Sequence, residues 1–427
     1  MTKHIDVPQE YANAVVDPKA HENREVIDGV FTWLRKEAPL AQVQPDEHNP
    51  IWVVSKHADI KAIQKDNKRF FNGTHRSATL MNAETEKGVL ELTGRPNLVM
   101  TILEMDGQNH LAHRMLTQPA FMPRGLKGLD ERIEELAMET AAKFAAFDGS
   151  CDFASDISFN YPLRVIMELL GVPPEDEPLM LKLTQEAFGA NDPELNGGIE
   201  EPTPEEFVGI LMMVFQQFGE YFQGLMAQRR ENPKEDIASI LANGEVHGGP
   251  IGQAEAFAYF FVIAAAGHDT TSNSMSSGMW ELAKNPEQLK MLKNDLSLID
   301  TFIDETVRWE TPVRSFMRNC VEDTEISGQK IAAGDWLMMA YPSGNRDEEV
   351  FQNPFSFDAS RNPNPHLGFG YGPHMCLGQH LAKFEMRKLW EQIIPRLESV
   401  ELAGTPQRTR ANFVNGPKSV PINFKMS

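Results

Sequence analysis

Cys376 lies in the run His366 to Gly378, HLGFGYGPHMCLG, with glycines at 368, 370, 372 and 378 and an aromatic, Phe369, seven residues ahead of it. Beyond it, Leu381, Phe384, Leu389, Ile393 and Leu397 recur at helical spacing, which predicts a helix over Leu377 to Leu397. The cysteine therefore falls just before or at a helix N-terminus, where unpaired N–H groups and the helix dipole favour negative charge. Such a thiol is expected to titrate below its ordinary value of about 8.5 and to be a thiolate near neutral pH. Glycines let a backbone turn tightly and approach a flat object closely. A thiolate in a glycine-lined loop beside an aromatic suits axial ligation of haem iron. The plainer alternative is a buried structural cysteine in a glycine-rich turn.

Three further groups have residue types that bear on chemistry. His110 and Arg114 are four apart and share a helix face, with His113 beside them. Ala264-Ala-Ala-Gly267-His-Asp269-Thr270-Thr271 places an acid and hydroxyls at the middle of an otherwise apolar helix predicted over Gln253 to Lys284. Glu305 and Arg308 are three apart on a helix, and Arg361 follows in FDASR.

Phe369-x-x-Gly372-x-His374-x-Cys376-x-Gly378 resembles the haem-binding loop of the cytochrome P-450 monooxygenases. The other groups stand in that family's order, so the resemblance spans nearly the whole chain. Segments such as DEPLMLKLTQ, AGHDTTS and GPHMCLGQHLAK are similar to the bacterial soluble class that includes a terpineol-hydroxylating member. The resemblance implies a mainly α fold with a smaller β-rich part, a triangular prism around a buried haem, formed by residues 1–427 as one domain. It implies haem b, with Cys376 as the iron ligand. Arg114, Arg318 and His374, with His110, would face the propionates. Gly267, Phe369, Gly370 and Gly378 would lie against the macrocycle, and N–H groups near Leu377 and Gly378 would moderate the thiolate. Asp269 is implied as the proton relay and Thr270 as the hydroxyl near dioxygen, with Thr271 a poorer candidate. Glu305, Arg308 and Arg361 correspond to a buried structural network. Val262, Ala265, Ala266, Val313, Phe316 and Phe413 would line the substrate pocket. Taken alone, each of these groups also has a structural reading: a surface pair for His110 and Arg114, a back-bonded helix threonine for Thr270.

The elements that must carry these groups follow from pattern. A helix is expected near Glu25–Glu37, a short strand at Ile51 to Val54, and a helix over HADIKAIQKD. Phe71 to Thr101 has weak periodicity and reads as loop with short helices, a lid candidate. Residues 121–250 are mainly helical, punctuated by Pro162, Pro173, Pro174 and Pro204. Strands are expected at Gln329–Ile331 and Trp336–Tyr341, and ANFVNGPKSVPINF reads as a last hairpin.

Composition narrows the partners. The formal charge of −21 argues against nucleic acid and anionic membrane. The longest charge-free apolar run, Ala256 to Gly267, is shorter than the roughly 20 residues of a membrane helix. MTKHIDVPQEYANAVV does not pattern as a secretory signal, and three distant cysteines give neither a disulfide framework nor a zinc motif. A cytoplasmic monomer is expected. With no Rossmann or flavin signature in the sequence, the resemblance implies two electrons from an iron–sulfur ferredoxin served by a separate NAD(P)H reductase. That donor would dock near Arg124, Lys127, Lys383 and Arg387. The expected activity is hydroxylation, with O2, of a small hydrophobic substrate, a terpenoid or an aromatic or alicyclic hydrocarbon. Two alternatives are a haem-thiolate sensor without turnover and a haem-free enzyme with Cys376 as nucleophile.

Overall fold

Three clusters of buried apolar side chains organise the chain, and each segment's structure follows from how it reaches one of them. The computed structural model describes residues 6–427; residues 1–5, the start of the segment read for a secretory signal, lie outside it.

Helix α1 (Arg24–Glu37) starts where the Asn23 side chain accepts the N–H groups of Glu25 and Val26 at 3.0 and 3.3 Å. Its buried stripe of Ile27, Val30, Phe31 and Leu34 covers a sheet. The antiparallel pair β1 (Leu40–Val43) and β2 (Ile51–Val54) opens that sheet, followed by α2 (His57–Lys65) and β3 (Phe70–Phe71). The lid candidate contains α3 (Ala83–Thr93), one helix of 11 residues rather than several short ones. Asn82 caps its start, and Gly94 ends it in the left-handed region at φ 68°. Then come α4 (Gly107–Phe121), α5 (Asp130–Ala145), β4 (Ser150–Asp152), α6 (Asn160–Leu170) and α7 (Glu177–Phe188). Helix α8 (Pro204–Glu231) opens on a reciprocal cap between Thr203 and Glu206.

Helix α9 (Gln253–Lys284) has the expected bounds, and α6, α7 and α10 (Ile299–Glu310) pack on it. Strands β5 (Ser315–Cys320) and β6 (Trp336–Ala340) complete the five-stranded sheet in the order β1-β2-β6-β5-β3, with β2 and β6 parallel. Period-two alternation sends Met317 toward the cluster under α1, while Phe316 and Arg318 share the other face.

Helix α11 (Gln379–Ile393) is shorter than the predicted run. Pro395 lacks the N–H a helix needs, so Leu397 instead begins β7 (Leu397–Leu402). The last hairpin is also corrected. Strand β8 (Gln407–Arg408) pairs with β9 (Pro417–Ser419), whereas β10 (Pro421–Met426) joins β7 and β4. An isolated bridge between Val313 and Val414 draws residues 411–416 against the segment leaving α10.

The connection between α7 and α8 is tied to this C-terminal segment. Lys418 Nζ lies 3.0 Å from both carboxylate oxygens of the buried Asp192, and the Arg410 backbone N–H donates to the same group at 2.9 Å. The Arg410 guanidinium also reaches Glu200 and Glu22 at 3.1 and 3.3 Å. Among the described residues, no helix is long and apolar enough to cross a membrane.

Candidate active site

A cavity of about 750 Å³ lies between α9 and the cysteine loop. One wall is the middle of α9, with Val262, Ala265, Ala266, Gly267 and Thr270; opposite lie Gly368, Phe369, Gly370, His374, Cys376 and Gly378. Val313, Phe316 and Phe413 line the cavity as well. The Phe316 and Phe413 rings meet edge to face with centroids 5.4 Å apart.

The cysteine loop is shaped by close packing. Gly372 adopts φ 74° and sits against Gln64, whose carbonyl oxygen would lie 2.4 Å from a Cβ there, so only glycine fits. A Cβ at Gly368 would meet Val307 at 2.4 Å. The Cys376 N–H donates to the Phe369 carbonyl at 2.8 Å, which folds the loop on itself.

The Cys376 sulfur receives the N–H groups of Gly378 and Gln379, at the start of α11. Its accessible surface borders the cavity, but it sits deep in the protein mass. That burial pushes the thiol up from its ordinary value, against the lowering effect of the two N–H groups and Arg114. The expectation of a free thiolate near neutral pH is therefore corrected. A helix terminus does not by itself offset the desolvation of a charged sulfur.

Above the loop, Arg114 donates to the Met375 carbonyl at 2.8 Å and to Gln118 at 3.2 Å. Arg318 is buried and donates to the Met317 carbonyl at 2.8 Å. Among the described residues, neither guanidinium has a carboxylate within ion-pair distance. His110 and His374 stack with centroids 3.9 Å apart. Burial, with the nearby guanidiniums, holds His374 down at about 2 and His110 at about 4. Each imidazole can donate a hydrogen bond toward that edge. Glu104, buried beside Arg318 and bound by the Ala78 N–H at 2.8 Å, is pushed up to about 7.

These features fit a haem. The Cys376 thiol borders the cavity, and two guanidiniums without a carboxylate partner stand ready for two carboxylates. Cys376 would hold the iron, with Arg114, Arg318 and the two imidazoles at the propionate edge.

On α9, Thr270 faces the cavity and its hydroxyl donates to the Ala266 carbonyl at 2.8 Å, leaving oxygen lone pairs on the open side. Gly267 serves helix packing as well as the groove: a Cβ there would lie 2.7 Å from Ile166 of α6. Asp269 is not on the cavity wall. It is buried, 3.6 Å from His268 Nδ1, with Oδ2 unpartnered, and burial raises it well above the usual carboxylate range. His268 donates from Nε2 to the Phe159 carbonyl at 2.7 Å, so its Nδ1 accepts from the Thr184 hydroxyl at 2.8 Å. Thr271 also borders the cavity and bonds the carboxyl of Glu385, likewise raised by burial. His268, Thr184 and Glu385 did not emerge from sequence reasoning, because they come from three helices that only the fold brings together.

Glu305 lies between two arginines. Arg308 grips both oxygens at 2.7 Å and Arg361 adds a bond at 3.0 Å, all three being buried. A second carboxylate, Glu310, is clasped by Arg24, Arg314 and Arg408 and was not anticipated.

On the outer surface near the cysteine, Lys383 and Arg387 are each engaged at 2.5 Å, by Asp304 and Asp300. Both side chains remain partly exposed, so the carboxylates temper the positive charge expected there without burying it. Arg124 and Lys127 stay exposed without an ion pair among the described residues, next to exposed Leu111, Met115 and Met122.

Comparison with known proteins agrees with this geometry. The cytochrome P-450 family model matches residues 19–424. Cytochrome P-450-terp of a Pseudomonas species is 43% identical over 426 residues, covering 99% of both chains. Linalool 8-monooxygenase of Pseudomonas putida is 32% identical over 93% of this chain and 96% of its own. Among solved structures, CYP108D1 of Novosphingobium aromaticivorans superposes with a TM-score of 0.89 at 41% identity, over 99% of each chain. CYP268A2 of Mycobacterium marinum, solved with pseudoionone, gives 0.86 at 30% identity, also over 99% of each chain. The chain belongs to the cytochrome P-450 family, has the fold of that family, and is a haem-iron monooxygenase.

Proposed function

We propose that this cytochrome P-450 hydroxylates a small hydrophobic molecule, with a terpenoid favoured over an aromatic or alicyclic hydrocarbon. One observation carries the reading: a cavity bordered by Cys376 and, from α9, by Thr270, with Val262, Ala265, Val313, Phe316 and Phe413 also on its walls. Apolar walls with few polar groups suit a compact apolar ligand. The two terpene-related names among the relatives support the terpenoid side.

The cofactor is proposed to be haem b, which supplies dioxygen binding and activation for insertion into a C–H bond. Cys376 would hold its iron, and the N–H groups of Gly378 and Gln379 would temper the sulfur's charge. Arg114 and Arg318 pair with the propionates, and His374 and His110 donate N–H bonds beside them. Gly267, Phe369, Gly370 and Gly378 keep the faces of the site close. Thr270 presents its hydroxyl oxygen to the distal side. Asp269, its carboxyl raised by burial, stands one residue behind that wall as the proton relay. Glu305, Arg308 and Arg361 brace the loop that carries the cysteine.

The chain acts as a cytoplasmic monomer supplied by a ferredoxin and a separate NAD(P)H reductase. Arg124 and Lys127, flanking the exposed Leu111, Met115 and Met122, form the docking surface for an acidic donor. The test is reconstitution. A ferredoxin, its reductase, NAD(P)H and a set of monoterpenoids and small aromatics should give a hydroxylated product in proportion to oxygen consumed. Spin-state shifts only with large fatty or steroid ligands would overturn the small-substrate reading.

A further inference from the structure

The cavity edge that holds Arg114, Arg318, His110 and His374 also holds an acid to which the propionate reading gives no task. Glu104 is buried and borders the cavity. Its place is set by a chain of backbone bonds. Glu104 Oε2 accepts the Ala78 N–H at 2.8 Å, and the Ala78 carbonyl accepts the Met317 N–H, also at 2.8 Å. The carboxyl is thereby tied to β5 one residue from Arg318. The Ser77 hydroxyl donates to the same carboxyl, and Gly73 packs so close that a Cβ there would lie 2.3 Å from Oε2.

The charged groups around it come from several elements. Asp106 accepts from the backbone N–H groups of Asn72 and Gly73 at 2.7 and 3.3 Å and from the Thr74 hydroxyl at 2.7 Å, and its charge opposes ionisation of Glu104. Arg318 favours ionisation from β5 and is itself hydrogen-bonded to Tyr341. His110 and His374 share the field of Arg318. Arg76, on the segment that carries Ala78, is turned to Glu86 at 2.6 and 2.7 Å. Burial outweighs the favourable groups and sets the carboxyl at about 7. An acid so placed near neutrality answers a single added charge by gaining or losing its proton.

We propose that Glu104 takes up one proton from solvent when the haem iron accepts an electron, so that reduction adds no net charge to the site. The inference rests on the haem reading above, with Arg318 at the propionate edge, and adds a group to it. Two effects point the same way. A propionate drawn to Arg318 engages the positive charge that otherwise favours the Glu104 carboxylate. The electron then adds one negative charge, which favours the protonated acid again. The step balances as one electron from the ferredoxin and one proton from water, which forms the O–H bond of the carboxylic acid; no group leaves. One unit charge about 10 Å away, at an effective dielectric constant near 20, raises proton affinity roughly 10-fold. Linkage is reciprocal, so a reduced form that holds its proton more tightly has a reduction potential that falls as pH rises.

The test is the midpoint potential of the haem-loaded protein, measured by spectroelectrochemistry between about pH 6 and 9. In the wild type it should fall across that range by about 59 mV, the equivalent of a 10-fold difference in proton affinity for one electron. Glu104→Gln keeps an oxygen for the Ala78 N–H but has no proton to gain, so most of the fall should vanish. A flat wild-type potential overturns the proposal, as does a fall of full size in Glu104→Gln. If the glutamine variant does not take up haem, Glu104→Asp decides. A shorter carboxyl cannot keep the same bond to Ala78, so the fall should move along the pH axis, and an unmoved fall overturns the assignment. A wild-type protein without the red-shifted carbon-monoxide band overturns the haem reading and this one with it. A normal band with a flat potential overturns only the role of Glu104.

Discussion

The Arg114 guanidinium donates to the Met375 carbonyl at 2.8 Å, so α4 holds the backbone one residue before Cys376. The same side chain borders the cavity without a carboxylate partner. Arg114→Ala should therefore lower haem content per protein several-fold, and Arg114→Lys should restore only part of it. A lysine ammonium is a point charge and lacks the planar fork needed to serve a carbonyl and a carboxylate together. Haem content measured after denaturation checks this; full loading of the alanine variant would remove Arg114 from the propionate edge.

Cys376→Ser should fold and yet lose the strongly red-shifted carbon-monoxide band of the reduced protein. Circular dichroism confirms the fold and the difference spectrum reads the ligand. A red-shifted band in the variant would place the sulfur ligand elsewhere.

Thr270→Ala leaves Cys376 and the apolar walls intact. Substrate spin shifts should be unchanged, while product per oxygen consumed falls about 10-fold and peroxide rises in its place. Tight coupling in the variant would show that the hydroxyl, already spent on the Ala266 carbonyl, has no part in proton handling.

Glu305→Ala would leave Arg308 and Arg361 buried without their shared carboxylate. Removing one partner of a buried ion pair costs about 3–5 kcal/mol, so the denaturation midpoint should drop and haem-loaded yield with it. Replacement without loss of stability would show that the backbone carbonyls around Arg308 suffice.

Glu310 predicts the acid limb of stability. Three guanidiniums hold it at about 2 in the fold, below its ordinary 4.5. The unfolded chain thus binds a proton first as pH falls, so this group stabilises the fold fully above about pH 4.5 and loses that contribution between 4.5 and 2. The difference amounts to roughly 3 kcal/mol. Chemical denaturation at a series of pH values should show a shallower acid loss in Glu310→Gln, from a lower starting stability.

Much of the site was legible because its members are close in sequence. The cysteine loop packs its signature into thirteen residues, α9 runs between the predicted ends, and Glu305 and Arg308 are helical neighbours. What escaped has no local spacing. Glu310 takes partners from positions 24, 314 and 408, and His268 meets Thr184 and Phe159 only because three helices cross there. The acidity of Cys376 was misjudged because a helix N-terminus is visible in a sequence, whereas the depth of burial opposing it is not. The engagement of Lys383 and Arg387 was hidden for a related reason, since a sequence shows a cation but not the carboxylate folded against it.

The tie between Asp192 and Lys418 has a consequence for traffic through the molecule. Lys418 and Arg410 stand on either side of Phe413, whose ring forms part of the cavity wall and lies with its centroid 6.2 Å from that of Phe188 at the end of α7. Any displacement of the α7–α8 connection must therefore part these charges or pull on the segment that carries the ring. A ligand passing beneath that connection would thus move a wall of the cavity as well.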